Sequence, residues 1–111
     1  MDLTQLKAKG GVVSAALVKR PVEWKHEVDG KEITEKFTVF VRRISFGAVE
    51  RANEEDSPSC ALISRCVCLG EKGEEALSYE DAFQLEPGLA AALVEAVMSV
   101  NNLGKPEEKN G

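Results

Sequence analysis

The sequence predicts an α+β protein, an antiparallel sheet built on one long hairpin with three or four helices packed on it. Three observations predict it: an alternating apolar pattern around residues 22–43, an Asp29-Gly30 dipeptide at its centre, and helical apolar spacing after residue 45. In the first arm, Val22, Trp24, His26 and Val28 alternate with Glu23, Lys25, Glu27 and Asp29, the period of a half-buried strand. Asp29-Gly30 supplies residues that tolerate the positive φ angles of a type I′ turn. That turn sets Val28 opposite Lys31, His26 opposite Ile33, Trp24 opposite Glu35 and Val22 opposite Phe37. It also sets Glu23 opposite Lys36 and Lys25 opposite Thr34, so one register yields an apolar face and a charge-complementary outer face. The strands are expected over 22–29 and 33–43, the second carrying Val39 and Val41 inward and ending on Arg42 and Arg43. Four of the six aromatic residues (Trp24, Phe37, Phe40, Phe46) lie in or beside this hairpin.

Around the hairpin, residues 2–9 read as a short helix closed by Gly10 and Gly11. Residues 12–20 read as an arm or an irregular strand. Phe46, Val49 and Ala52 recur at helical spacing, with Glu50, Arg51, Glu54 and Glu55 outward. Ser57-Pro58-Ser59 reads as a helix start, followed by a third strand over 65–69 and a turn at 70–73. Ser78 caps a helix whose first turn holds Glu80 and Asp81. Pro87 suits the first position of the last helix, which runs to about residue 102. Leu89, Leu93, Val94, Val97 and Val100 give that helix a candidate partner or self-association face, and between Leu89 and Val100 only Glu95 and Ser99 are polar. A helix apolar nearly all round is either enclosed by a core or covered by a partner. Residues 1–104 are expected to form a single domain and residues 105–111 a disordered tail.

Composition narrows the function classes. A chain of 111 residues with 43% hydrophobic and 30% charged content is large enough for a core without staples. No apolar run reaches the roughly 18–20 residues of a membrane helix, and no signal-peptide pattern opens the sequence. The net charge of −5 disfavours nucleic acid. It is unevenly spread: residues 1–45 hold nine Lys/Arg against six Asp/Glu, whereas residues 46–111 hold five against thirteen. Opposed halves of this kind can attract copies head to tail. Cys60, Cys66 and Cys68 are odd in number and read as reduced, buried thiols. With His26 they would make a four-ligand soft-metal set, but their spacing lacks the two short pairs of a structural zinc site. His26 itself sits on the apolar strand face, as a structural imidazole would. No phosphate loop, nucleophile elbow or metalloprotease helix is present, so neither a cofactor nor a catalytic residue is expected.

The order of segments adds a further reading. A basic-ended strand (Phe37-Thr38-Val39-Phe40-Val41-Arg42-Arg43) precedes an acidic helix start (Tyr79-Glu80-Asp81-Ala82-Phe83). Then come Leu85-Glu86-Pro87-Gly88-Leu89-Ala90-Ala91-Ala92-Leu93, Val100-Asn101, Leu103-Gly104-Lys105 and Lys109-Asn110. From about Trp24 onward this resembles the tail assembly chaperones of long-tailed bacteriophages. The resemblance implies a non-enzymatic protein of the host cytoplasm that coats the tape measure protein before tube assembly. It also implies a longer form made by a −1 ribosomal frameshift, whose extension recruits the tail tube protein. The apolar last helix and the opposed charges of the two halves lead us to expect a homo-oligomer. The codons of Leu103, Gly104 and Lys105, or of Glu108, Lys109 and Asn110, can carry the slippery heptamer. The rival readings are a small acidic antitoxin-like regulator and a thiol metal-binding protein.

Overall fold

In a computed structural model, which describes residues 1–14 and 16–103, the chain is an α+β fold with a four-stranded antiparallel sheet of order β1-β2-β3-β4. The elements are α1 (Leu3–Ala8), β1 (Leu17–Val28), β2 (Lys31–Arg42), α2 (Phe46–Asn53), α3 (Pro58–Cys66), β3 (Val67–Leu69), β4 (Glu75–Ala76), α4 (Tyr79–Phe83) and α5 (Pro87–Asn101).

The hairpin takes the register expected of it. Val28 pairs with Lys31, His26 with Ile33, Trp24 with Glu35, Glu23 with Lys36 and Val22 with Phe37. Asp29 (φ 53°) and Gly30 (φ 79°) both occupy the left-handed region that the tight turn demands. The strands extend further than the alternation indicates, because β1 begins at Leu17 and runs through Pro21. Proline is tolerated there because β1 is an edge strand.

One face of the hairpin base is covered. Val22, Val39 and Val41 join Ile63, Cys66, Val67, Leu93, Val97 and Val100 in a single core. Helix α5 lies across β1 and β2, α3 packs against β2 and α5, and α2 and α4 pack on α3. Four helices therefore enclose the core, while α1 buries none of its residues. The opposite sheet face is largely open. The 70–73 turn approaches it closely, and a Cβ on Gly73 (φ +73°) would lie 2.9 Å from the Phe40 ring and 3.0 Å from Leu17.

Side-chain hydrogen bonds tie the layers together. Asn101 donates from Nδ2 to the Arg42 carbonyl (3.3 Å) and accepts at Oδ1 from the Ile44 amide (2.9 Å), pinning the end of α5 to the exit of β2. The Ser57 amide donates to the Tyr79 hydroxyl at 3.0 Å, joining the starts of α3 and α4. Arg65 donates to the Ala48 carbonyl at 3.2 Å. The third strand is shorter than the expected 65–69, because Arg65 and Cys66 still belong to α3 and only Val67–Leu69 is extended. The two-residue β4 is an addition to the expected sheet.

Candidate protein-binding site

At the junction of the hairpin, β3 and α5 the described residues leave an open cleft of about 320 Å³. It is lined by Trp24 and Phe37 from the hairpin, Leu69 from β3, Leu77 and Leu85 from connecting segments, and Leu89 and Leu93 from α5, with Glu35 at its rim. Five leucines and two aromatic rings from separate elements thus converge on one concave surface. Such a surface is suited to apolar side chains of a partner.

The Trp24 wall is held in place by the start of α5. Trp24 Nε1 donates to Glu86 Oε1 at 2.7 Å, and the same oxygen accepts from the Leu89 amide at 3.0 Å, capping the helix. The backbone amide of Gly88, the Trp24 indole and the Leu89 amide hold the Glu86 carboxyl below the usual glutamate range. On the other side, the His26 ring stacks on Trp24, with centroids 3.8 Å apart and planes inclined by 13°. His26 Nε2 lies 3.1 Å from Glu35 Oε2. His26 is therefore an aromatic support with a polar partner, and it stands at the edge of the cleft.

The residues of the expected helix face separate into two groups. Leu93 (2% exposed), Val97 (0%) and Val100 (4%) lie in the core. Leu89 and Val94 are half-buried, and Leu89 and Leu93 form part of the cleft. Of the positions tied to a frameshift, Leu103 is half-buried just beyond α5, and Gly104, Lys105, Glu108, Lys109 and Asn110 lie outside the described residues, as does the expected 105–111 tail. Trp24, Phe37, Leu69, Leu77 and Leu85 belong to the site without having been singled out for it. The aromatic clustering in the hairpin was the available signal for the first two; Leu77 and Leu85 carry no local pattern.

The three thiols lie on α3 and on β3, which directly follows it. Cys60 is half-buried, Cys66 and Cys68 are buried, and all three are free. Burial pushes the Cys66 thiol up to about 11, against the opposing pull of Arg42 and Arg65. Among the described residues no three His, Cys, Asp or Glu side chains come together as metal ligands would. Among the same residues no helix is long and apolar enough to cross a membrane.

The sequence profile of the family described as "phage tail assembly chaperone, TAC" matches residues 4–101. The chain belongs to that family. The match takes in the hairpin, all four helices of the core and the whole cleft lining. No curated protein and no solved structure matches the chain significantly. As a member of a chaperone family in tail assembly, the protein acts on tail components.

Proposed function

We propose that this chaperone coats the tape measure protein in the host cytoplasm before the tail tube forms, without catalysis and in many copies. The observation that carries the reading is the open leucine-lined cleft on a family member. A tape measure protein is a long helical chain with apolar surface, and a cover for it needs an apolar seat on each copy. Trp24, Leu85 and Leu89 supply such a seat on a rigid frame, with Glu35 and Glu86 beside it for basic residues flanking the client's apolar side chains. The basic character of residues 1–45 and the acidic character of residues 46–111 favour repetition of copies along the client.

Co-expression with the tape measure protein tests this. The wild-type chain should keep the client soluble and co-purify with it, whereas Leu89→Lys should fold, by its far-ultraviolet circular dichroism, and release the client. A client that stays soluble alone, or equal capture by Leu89→Lys, rejects the reading.

The longer form belongs to the same proposal, with the extension recruiting the tail tube protein. A −1 slip needs a heptamer of the form X XXY YYZ. Leu103-Gly104-Lys105 can be written CTG GGA AAG and Glu108-Lys109-Asn110 can be written GAA AAA AAC, each holding such a heptamer in phase. A slip at either place would append residues beyond α5 and leave the folded elements intact. The nucleotide sequence is the test: if neither heptamer is present, or the −1 frame closes within a few codons, the longer form is not made in this way.

A further inference from the structure

The N-terminal helix is capped at both ends, and among the described residues nothing buries it. Asp2 and Gln5 form a reciprocal capping box at α1, each bond 2.8 Å long. At the other end Gly10 (φ +90°) turns the chain so that the Gly11 amide donates to the Leu6 carbonyl at 2.8 Å. Yet none of its six residues is buried. A helix this short does not hold itself together in water, because nucleation costs more than one or two turns return. Its apolar side chains are also unusually open: Leu3 is 62% exposed and Leu6 42%, with Val12 and Val13 following at 55% and 42%. Leu3 and Leu6, three positions apart, lie on one side of the helix. Lys7 and Lys9 follow them and are exposed as well.

The cleft is the complement of this segment. It is concave where α1 is convex, is lined by leucines and aromatic rings, and has two carboxylates, Glu35 and Glu86, at its edge. We propose that α1 of one copy seats in the cleft of a second copy, with Leu3 and Leu6 inserted and Lys7 and Lys9 set against Glu35 and Glu86. The helix is about 9 Å long at 1.5 Å per residue, a length suited to a local seat rather than an extended groove. A second copy is the occupant because α1 has no buried residue among the described residues of its own chain, and its exposed Lys7 and Lys9 complement the carboxylates of Glu35 and Glu86 at the cleft edge. The contact joins two different surfaces, so each bound copy presents a fresh arm and a fresh cleft. Heterologous contacts of this kind build open chains rather than closed pairs. Because the proposal rests on the cleft being the client seat, arm and client compete, and the free chaperone shields its apolar cleft with its neighbour's arm until a client displaces it.

Two full-length variants test this. Leu3→Glu/Leu6→Glu disables the arm at positions that bury nothing, so its fold and urea midpoint should match the wild type. Leu89→Lys disables the cleft and leaves the arm whole. In sedimentation velocity the wild type should grow into a ladder of species as concentration rises. Each variant alone should stay monomeric, with association weakened at least about tenfold. An equimolar mixture of the two should form a dimer and stop there, since only one arm and one cleft remain competent. Association of the arm variant at wild-type strength overturns the proposal, as does a mixture that forms no dimer. A wild type that is monomeric at every concentration also overturns it, the arm then being idle or seated in its own cleft. The client reading is separated by capture of the tape measure protein. The arm variant should hold the client at least as well as the wild type. Loss of capture by wild type and arm variant alike, with the dimer of the mixture still formed, defeats the client reading and leaves the arm contact standing.

Discussion

The two ends of the hairpin share strands, register and alternation, and differ in everything else. At the base, Val39 and Val41 are fully buried and Val22 nearly so, enclosed by α5 and α3. Toward the turn, Val28 and Ile33 occupy the same sheet face and are 43% and 38% exposed. The chain is 59 Å along its longest axis against 35 and 30 Å across. Alternation therefore reports which face a side chain is on, and only the neighbouring elements decide whether that face is dry. The Trp24–His26 stack marks the boundary between the two regimes, and the cleft opens there.

The largest expected effect breaks the base and spares the tip. Val39→Asp places a carboxylate where no solvent or partner reaches it, which should cost more than about 4 kcal/mol or prevent folding. Ile33→Asp makes the same chemical change on the same face and should stay within about 0.5 kcal/mol of wild type. Urea denaturation followed by circular dichroism separates the two. Comparable losses at both positions would mean that the tip is covered in solution.

The turn comes next. Gly30 has φ 79°, with nothing within 4 Å of the place a Cβ would take, so a side chain there is strained by backbone conformation rather than by crowding. Gly30→Val should cost about 1–2 kcal/mol. Because the tip contributes little to the core, the damage should be local. Hydrogen exchange should show lost protection over residues 25–34 with little change at Val39 or Val41.

The boundary offers a test by pH. The Glu86 carboxyl is held below its usual range by the Gly88 amide, the Trp24 indole and the Leu89 amide. A group depressed in the folded chain stabilises it above the unfolded-state value, and that contribution is lost as pH falls through the lower, folded value. The only tryptophan of the chain should therefore change its fluorescence with a midpoint below the ordinary glutamate range. In Trp24→Phe the Glu86 carboxyl, followed by NMR, should titrate closer to that range without reaching it, since the two amides remain. An unchanged Glu86 midpoint would show that the indole contact does not persist in solution.

These contrasts also explain what could be read from the residues alone. The register was legible because one turn dipeptide and one alternation specify it together, and every cross-strand pair expected from Asp29-Gly30 is present. The capping of α4 by Ser78 and the start of α5 at Pro87 were legible for the same reason: cap chemistry is local. β4 was not legible, because two residues, one of them Glu75, carry no period. Nor was the strand start at Leu17, since Pro21 argues against a strand unless the strand is known to lie at an edge. The last helix is apolar nearly all round because it meets the sheet on one side and α3 on another, with the cleft beside it. Its composition shows that much surface is covered but not by what. The cleft itself depends on Leu69, Leu77 and Leu85 meeting from separate segments, which only the tertiary fold arranges.

The smallest effect belongs to the outer face of the hairpin, where sequence reasoning was most specific. Glu23 and Lys36 are cross-strand partners with Oε2 and Nζ 3.9 Å apart, and both side chains are more than half exposed. Coulomb attraction at that distance in water is weak and is screened further by salt. Holding two long side chains together also costs rotamer freedom, so the pair should contribute only about 0.2–0.5 kcal/mol. Glu23→Lys should cost about that amount at low ionic strength, Lys36→Glu likewise, and the double exchange should recover most of it. In high salt all three should converge on the wild type. A double exchange no better than the sum of its parts would mean that the pair does not interact, although the register places the two residues side by side. A loss well above 1 kcal/mol for either single change would mean that this face is covered, and the contrast between a dry base and a solvated outer surface would then need redrawing around a partner bound there.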